Sequence, residues 1–152
     1  MRPINVSDAE FMFRLLNSRG WLLYIGDRGI GSIEDAAAYI HKILFTENFN
    51  YHVLLKKDTL EPIGILSLIQ RENFEFPDFG FALLPEFQHQ GYAKEASETY
   101  LKHLFSLQPL LKVIAICKEH NTPSIQLLRA LGFEYSHSIE SEGQRLQLYA
   151  RH

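Results

Sequence analysis

Apolar and polar residues recur with two different periods along the chain, and the changes of period mark helices and strands. Ser7 and Glu10 form a predicted capping box for a first helix that ends near Leu16. Ser32 begins a second helix in the same way. The bulky segment 21–25 between them leads into a glycine-punctuated loop, and we expect this segment to pack on the core.

The middle of the chain changes to short β-prone runs at residues 52–55, 63–69 and 79–84. The remaining pattern predicts a helix, a strand, a helix and two strands, at residues 93–107, 112–117, 121–131, 133–138 and 144–150. This order predicts an α/β (α+β) fold with a central mixed, mostly antiparallel sheet that is flanked by helices. No linker interrupts it, so we expect residues 1–152 to form a single domain.

Composition narrows the classes of partner. A formal net charge of -3 supplies no global basic field, which argues against nucleic-acid partners. No apolar run approaches the roughly 18 residues that a membrane span needs, so we expect a cytoplasmic protein without a membrane partner. The single cysteine, Cys117, lies in an apolar run and is expected to be a buried core thiol. The seven histidines show no metal-binding spacing, so no metal is predicted.

The most informative stretch is the one in which a strand passes through a short loop into the start of a helix, at residues 81–93. The first-turn N–H groups of a helix have no intrahelical partner and favour an anion, and Gly91 lets the backbone approach a pyrophosphate closely. An ordinary strand-to-helix turn would show the same pattern, so the two interpretations stand side by side. The dinucleotide fingerprint and the phosphate-loop pattern are both absent, which argues against nucleotide oxidoreductases and NTPases.

Three motifs in order resemble those of the GNAT superfamily of acetyltransferases. The family pattern Q/R-x-x-G-x-G/A is matched by Gln88-His89-Gln90-Gly91-Tyr92-Ala93. Asn121-Thr122-Pro123-Ser124 is similar to the start of the family's fourth helix, and Leu131-Gly132-Phe133 to its end. The approach to the third strand at 73–81 and the segment 24–29 resemble the branch that contains ribosomal-protein N-acetyltransferases.

The resemblance implies a GNAT fold that uses acetyl-CoA as co-substrate, in a monomer or homodimer. The first strand is expected to be truncated or absent, because only residues 1–6 precede Ser7. The Gln88–Ala93 loop would hold the pyrophosphate of CoA through all six residues, Gln88, His89, Gln90, Gly91, Tyr92 and Ala93. The strand that carries Phe81, Ala82 and Leu83 would splay from its neighbour, so that its backbone pairs with pantetheine and polarises the thioester carbonyl.

Attack on a thioester needs a neutral amine, yet at pH 7 a free α-amine is only about 10% neutral. Candidate bases are Asp78, Glu75 and Glu72, of which Asp78 ranks first, and a water chain is the alternative. Many family members protonate the departing thiolate with a tyrosine, but Leu128 occupies that position here. The resemblance offers Ser124 instead, although a first-turn serine can also simply cap a helix. Asn121 would orient pantetheine or an ordered water, or act as a plain N-cap.

The acceptor is predicted to be a primary amine, either a protein N-terminus or a small molecule, attacked directly in a ternary complex. Its cleft is expected to involve the first two helices with Trp21 and Tyr24, the acidic loop with Glu75, and the turn at 140–143. A catalytically inactive acyl-CoA-binding sensor or scaffold is the alternative function, because Leu128 replaces the usual acid.

Overall fold

The computed structural model describes all residues from Met1 to His152. Seven strands form one sheet in the order β1-β2-β3-β4-β5-β7-β6. Their bounds are β1 Arg2–Pro3, β2 Phe49–Leu55, β3 Pro62–Ile69, β4 Asp78–Leu83, β5 Val113–Lys118, β6 Glu134–Ser141 and β7 Gln144–Arg151. Every neighbouring pair is antiparallel except β4 and β5, which are parallel. The predicted mixed, mostly antiparallel sheet is therefore confirmed.

Five α-helices cover the two faces of the sheet. They are α1 Ala9–Leu16, α2 Arg19–Tyr24, α3 Ile33–Phe45, α4 Tyr92–Leu107 and α5 Thr122–Ala130. Side chains alternate between the faces along a strand, so Val53 and Ile65 pack under α1 to α3 while Leu54 and Leu66 pack under α4 and α5. None of these helices is both long enough and apolar enough to cross a membrane.

The start of the chain differs from the sequence-based prediction. A first strand is present but reduced to Arg2–Pro3, which pairs with His52 and Val53 of β2. The capping box lies two residues earlier than expected: Asn5 caps a 3-10 turn, and the Asp8 carboxylate accepts the Asn5 N–H at 2.9 Å. Asp8 is available for this because Arg2 neutralises it at 2.6 Å. The predicted box of Ser7 and Glu10 is wrong.

The segment after α1 also differs, because it contains an additional short helix. Ser18 accepts the Trp21 N–H through its hydroxyl and so caps α2, which buries Trp21 and leaves Leu22 and Leu23 exposed. The Leu23 carbonyl accepts the Lys118 ammonium at 2.8 Å, so α2 is held across the end of β5. This helix places one wall of the site described next.

Candidate active site between two diverging strands

A cavity of about 430 Å³ opens where β4 and β5 separate. The two strands are in register only at Asp78 and Ile114, near their N-terminal ends, and no further pair follows. The predicted splaying of the strand that carries Phe81, Ala82 and Leu83 is therefore present, and all three residues line the cavity. Backbone donors and acceptors that a neighbouring strand would otherwise satisfy face this space.

One end of the cavity is formed by the loop that joins β4 to α4. His89 and Gly91 adopt left-handed backbone conformations, with φ of 59° and 83°. A side-chain carbon built on Gly91 would meet no atom within 4 Å, so open space lies in front of the first turn of α4. Unpaired amides and the positive helix end therefore face the cavity, and the Lys94 side chain adds a cation to its wall.

The six predicted pyrophosphate residues do not all face the cavity. Its lining includes Gln88, His89, Gly91 and Ala93, but not Gln90 or Tyr92. Gln90 is exposed and donates to the Glu86 carbonyl at 2.8 Å. The Tyr92 ring packs edge-on against Phe87, with the ring centroids 6.3 Å apart. Gln90 and Tyr92 therefore point away from the cavity, which the linear motif does not reveal.

Helix α5 contributes a polar wall at its first turn. Asn121 is buried, and its side-chain oxygen accepts the Ser124 N–H at 3.3 Å, so the N-cap is Asn121. The Ser124 hydroxyl makes no hydrogen bond within the chain, which removes helix capping as its task. Both side chains line the cavity, as does Leu128, which is almost fully buried.

Asp78 lines the cavity at the start of β4, where β4 and β5 are still in register. This residue is 7% exposed, and one carboxylate oxygen accepts the Arg71 Nε–H at 2.7 Å. Burial raises the pKa of Asp78 above its ordinary value, and Arg71 and the Ile116 N–H only partly offset this. Of the three candidate bases, only Asp78 lines the cavity, whereas Glu72 and Glu75 are exposed in the preceding loop and do not.

The far wall contains two of the three predicted acceptor residues, Trp21 and Tyr24, whereas Glu75 and the turn at 140–143 do not line the cavity. The larger polar residues that line the cavity but were not predicted from the sequence include Arg28, Tyr39, Tyr51 and Arg71. They come from the loop after α2, from α3, from β2 and from the end of β3. Only the alternation in β2, which turns Tyr51 and Val53 to the same face, was a usable signal.

Cys117 is not the fully buried core thiol that its apolar surroundings predicted, since it is half-buried and lines the cavity. Burial, and to a lesser degree the Asp78 carboxylate, raise the pKa of Cys117 to about 11. The group therefore stays a neutral thiol near pH 7 and is a poor nucleophile.

Comparison with known proteins agrees with this geometry. Residues 1–134 match the family described as the acetyltransferase (GNAT) domain. The chain is 26% identical to the uncharacterized N-acetyltransferase YnaD of Bacillus subtilis (strain 168) over 133 residues, 87% of this chain and 76% of that protein.

Solved structures with a similar fold include two acetyltransferases whose names give an acceptor. The first is RimL, a ribosomal L7/L12 alpha-N-protein acetyltransferase in complex with coenzyme A, with TM-score 0.84, 18% identity and coverage of 99% and 91% of the two chains. The second is a mutant of the spermidine N-acetyltransferase SpeG from Vibrio cholerae, with TM-score 0.78, 19% identity and coverage of 99% and 91%. The chain belongs to the GNAT family and is an acetyl-CoA-dependent N-acetyltransferase.

Proposed function

We propose that the cavity between β4 and β5 holds both substrates at once, and that a primary amine attacks the thioester of acetyl-CoA directly. The observation that carries this proposal is the continuity of the cavity from the α4 start at Gly91 to the buried Asp78. An anion site and a buried carboxylate at the two ends of one cleft suit a long anionic donor and an amine acceptor. We propose further that residues 1–152 act as one catalytic domain.

The residues present fit acetyl-CoA. In this proposal the first-turn amides of α4 bind the pyrophosphate, with Gly91 leaving room for it and Lys94 adding positive charge. The backbone of Phe81 to Leu83, which pairs with β3 but not with β5, takes the pantetheine arm, and the Asn121 amide nitrogen, which makes no hydrogen bond within the chain, assists it. Bound acetyl-CoA supplies an acetyl group activated as a thioester.

Asp78 is the proposed base. Its burial favours the protonated form, which makes the carboxylate a better proton acceptor than an exposed aspartate. Arg71 fixes the orientation of the carboxylate through one oxygen, and the ammonium group of the acceptor approaches the carboxylate from the cavity that Asp78 lines. A proton that leaves the acceptor nitrogen at Asp78 gives the neutral amine that attack requires.

Ser124 is the proposed donor to the departing sulfur. Its hydroxyl lines the cavity without a partner in the chain, and Leu128, one helical turn further on, offers no proton. A hydrogen bond to a sulfur that is becoming negative stabilises the transition state more than the ground state. The Ser124 hydroxyl therefore takes the place of the missing tyrosine.

We propose membership of the branch of ribosomal-protein N-acetyltransferases, and the likeness to RimL supports it. Because a spermidine acetyltransferase shares the same fold, the acceptor has to be inferred from the side chains of the cavity. We propose that Trp21 and Tyr24 of α2 pack over the acceptor amine.

Calorimetric titration with acetyl-CoA, followed by an assay of CoA release with a panel of amines, tests the function. Gly91→Glu puts negative charge where the pyrophosphate binds, and we expect affinity for acetyl-CoA to fall by about a hundredfold or more, the scale of two lost charge-assisted hydrogen bonds. Gly143→Glu is the matched control, because Gly143 has φ of 72°, faces open space and lies outside the cavity.

The two readouts separate the candidate functions. Saturable binding that Gly91→Glu abolishes, together with CoA release on addition of an amine, supports the enzyme. Binding without release for any amine supports the inactive sensor. Absence of binding to the wild-type protein contradicts both.

A further inference from the structure

The wall of the cavity opposite the α4 start is rich in hydrogen-bond donors and positive charge. Arg28 and Arg71 both line it, and Asp78 is the only carboxylate among the lining residues. Since Asp78 is already paired with Arg71, this part of the cavity keeps an uncompensated positive charge from Arg28. A site of this kind attracts anions and repels polycations.

Arg71 is only partly used by its contact with Asp78. Its Nε–H donates to the carboxylate at 2.7 Å, while its two terminal nitrogens make no hydrogen bond within the chain. The side chain is 50% exposed, so these nitrogens remain accessible from the cavity. A guanidinium that is anchored at Nε presents its other N–H groups in a fixed plane, which suits a carboxylate.

Arg28 faces the same region and is also unpaired. It lies in the loop after α2, is exposed and forms no salt bridge. Arg28 and Arg71 both line the cavity and both lie within electrostatic range of Tyr51, a half-buried residue of the cavity wall. Burial raises the pKa of Tyr51, as does the neighbouring Tyr39 hydroxyl, whereas Arg71 and Arg28 both oppose the shift. The two guanidinium groups therefore act on a common point beside a neutral phenol.

Trp21 adds an unused donor to the same wall. It is 5% exposed, lines the cavity, and its indole N–H is buried without a hydrogen-bond partner. An unsatisfied buried donor costs free energy, and an indole N–H can only donate. A substrate oxygen that reached it after a small shift of the ring would remove this cost.

We propose that the acceptor is an aminocarboxylate, a primary amine with a carboxylate a few bonds from the nitrogen. The inference rests on the proposed function, because Asp78 receives the amine while Arg71 and Arg28 receive the carboxylate. The contact between Arg71 and Asp78 sets the two subsites side by side, so the amine and the carboxylate have to be close in the substrate. Polyamines of the spermidine type have no carboxylate, and the two arginines would repel their positive charges.

Two kinds of acceptor carry an amine and a nearby carboxylate. One is a free amino acid, and the other is a peptide whose first residue is acidic. A panel that contains β-alanine, and peptides that begin with Asp or with the isosteric Asn, distinguishes them. Preference for the Asp peptide over β-alanine assigns the site to a peptide N-terminus, and the reverse assigns it to a small molecule. A higher rate for the Asp peptide than for the Asn peptide, or for β-alanine than for propylamine, supports the carboxylate subsite.

Binding of the carboxylate can be measured without turnover. Trp21 is the only tryptophan in the chain and lies in the cavity wall, so its fluorescence reports on this site. We expect propionate, but not propylamine, to cause a saturable change in the wild-type protein. Arg28→Gln should weaken propionate binding by about tenfold, the scale of one charge-assisted hydrogen bond. Arg145→Gln, an exposed arginine outside the cavity, should leave it unchanged.

Turnover provides the second measurement. Because propylamine keeps the amine and the three-carbon chain of β-alanine but lacks its two carboxylate oxygens, we expect kcat/KM to be about tenfold to a hundredfold higher for β-alanine. Arg28→Gln should reduce this ratio, whereas Arg145→Gln should preserve it. Equal rates for the pair, or an absence of any response to propionate, would overturn the inference and leave the acetyltransferase function intact. Loss of acetyl-CoA binding would instead contradict the function, and the propionate titration would still decide the subsite.

Discussion

The two ends of the cavity are built in opposite ways. At the proposed CoA end, the lining comes mainly from one continuous stretch, Leu83 to Ala93, with the backbone amides of the α4 start. At the proposed acceptor end, side chains come from α2, the loop after it, α3, β2 and the end of β3. A site made of consecutive backbone leaves a motif in the sequence, whereas a site assembled by the fold does not.

The same contrast predicts how the two ends respond to mutation. A helix N-terminus binds an anion through peptide groups that no side-chain substitution removes. Side-chain truncations at the CoA end should therefore have small effects unless they add bulk or negative charge. At the proposed acceptor end, we propose that individual groups such as Asp78 carry charge and transfer the proton, so single substitutions should have large effects.

Asp78→Asn should give the largest effect and is the strongest test of this contrast. An amide cannot accept the proton from the acceptor, so we expect kcat to fall by about 10²- to 10⁴-fold. Affinity for acetyl-CoA should remain unchanged, since Asp78 lies at the end away from the pyrophosphate loop. Steady-state kinetics and calorimetry measure the two quantities. Glu75→Gln removes an exposed carboxylate from the loop just before β4 and should leave kcat and the affinity for acetyl-CoA near their wild-type values.

The pH dependence of stability provides a check on the environment of Asp78. Its folded-state pKa lies above the ordinary value of 3.8, so the folded state binds more protons than the unfolded state between these two values. The contribution of this residue to the free energy of unfolding is thus fully present below pH 3.8 and is lost as the pH rises through the folded-state pKa. Urea titrations over this window should show that the loss is absent in Asp78→Asn.

The sequence predicts most elements because their signals are local. Ser32 accepts the Asp35 N–H at 3.0 Å and begins α3 as predicted, because the Ser32 side chain faces only its own helix. The box predicted at Ser7 fails because the Asn5 side-chain oxygen takes both the N–H and the hydroxyl of Ser7. Asp8 then completes the cap, and Arg2 balances its negative charge. Arg2 lies beside Asp8 because β1 pairs with β2.

Helix α2 was not predicted because it is shorter than two turns and has a single buried residue, Trp21, so it shows no helical period. The Ser18 cap was a usable signal three residues before Trp21. Arg71 could not have been assigned from the sequence in the same way. Its role depends on Asp78, seven residues later, across the loop that turns β3 into β4. Nothing local to either residue encodes that contact.

Ser124→Ala should give an intermediate effect and tests whether α5 takes part in the chemistry. Loss of a hydrogen bond to the developing thiolate should lower kcat by about tenfold, while the N-cap made by Asn121 preserves the helix. Single-turnover measurements with acetyl-CoA report this step directly. Ser141→Ala, at an exposed strand end, is the matched control. A rate equal to that of the wild type would assign proton donation to solvent.

Gln88→Ala and Gln90→Ala should give the smallest effects. The two variants compare a residue that lines the cavity with one on the outer side of the same loop. Gln88 lines the cavity and donates to the Leu83 carbonyl at 3.2 Å, which ties the loop to the end of β4. Loss of that bond should weaken acetyl-CoA binding by about fivefold, since a net hydrogen bond contributes about 1 kcal/mol.

Gln90 is exposed and donates to the Glu86 carbonyl on the outer side of the turn, so its truncation should change the dissociation constant by less than about twofold, within the usual range for surface substitutions. Calorimetric titration of both variants measures the difference. A larger loss for Gln90→Ala than for Gln88→Ala would mean that the loop rearranges when acetyl-CoA binds. In that case the bound ligand, and not the turn at His89 and Gly91, would orient the backbone amides.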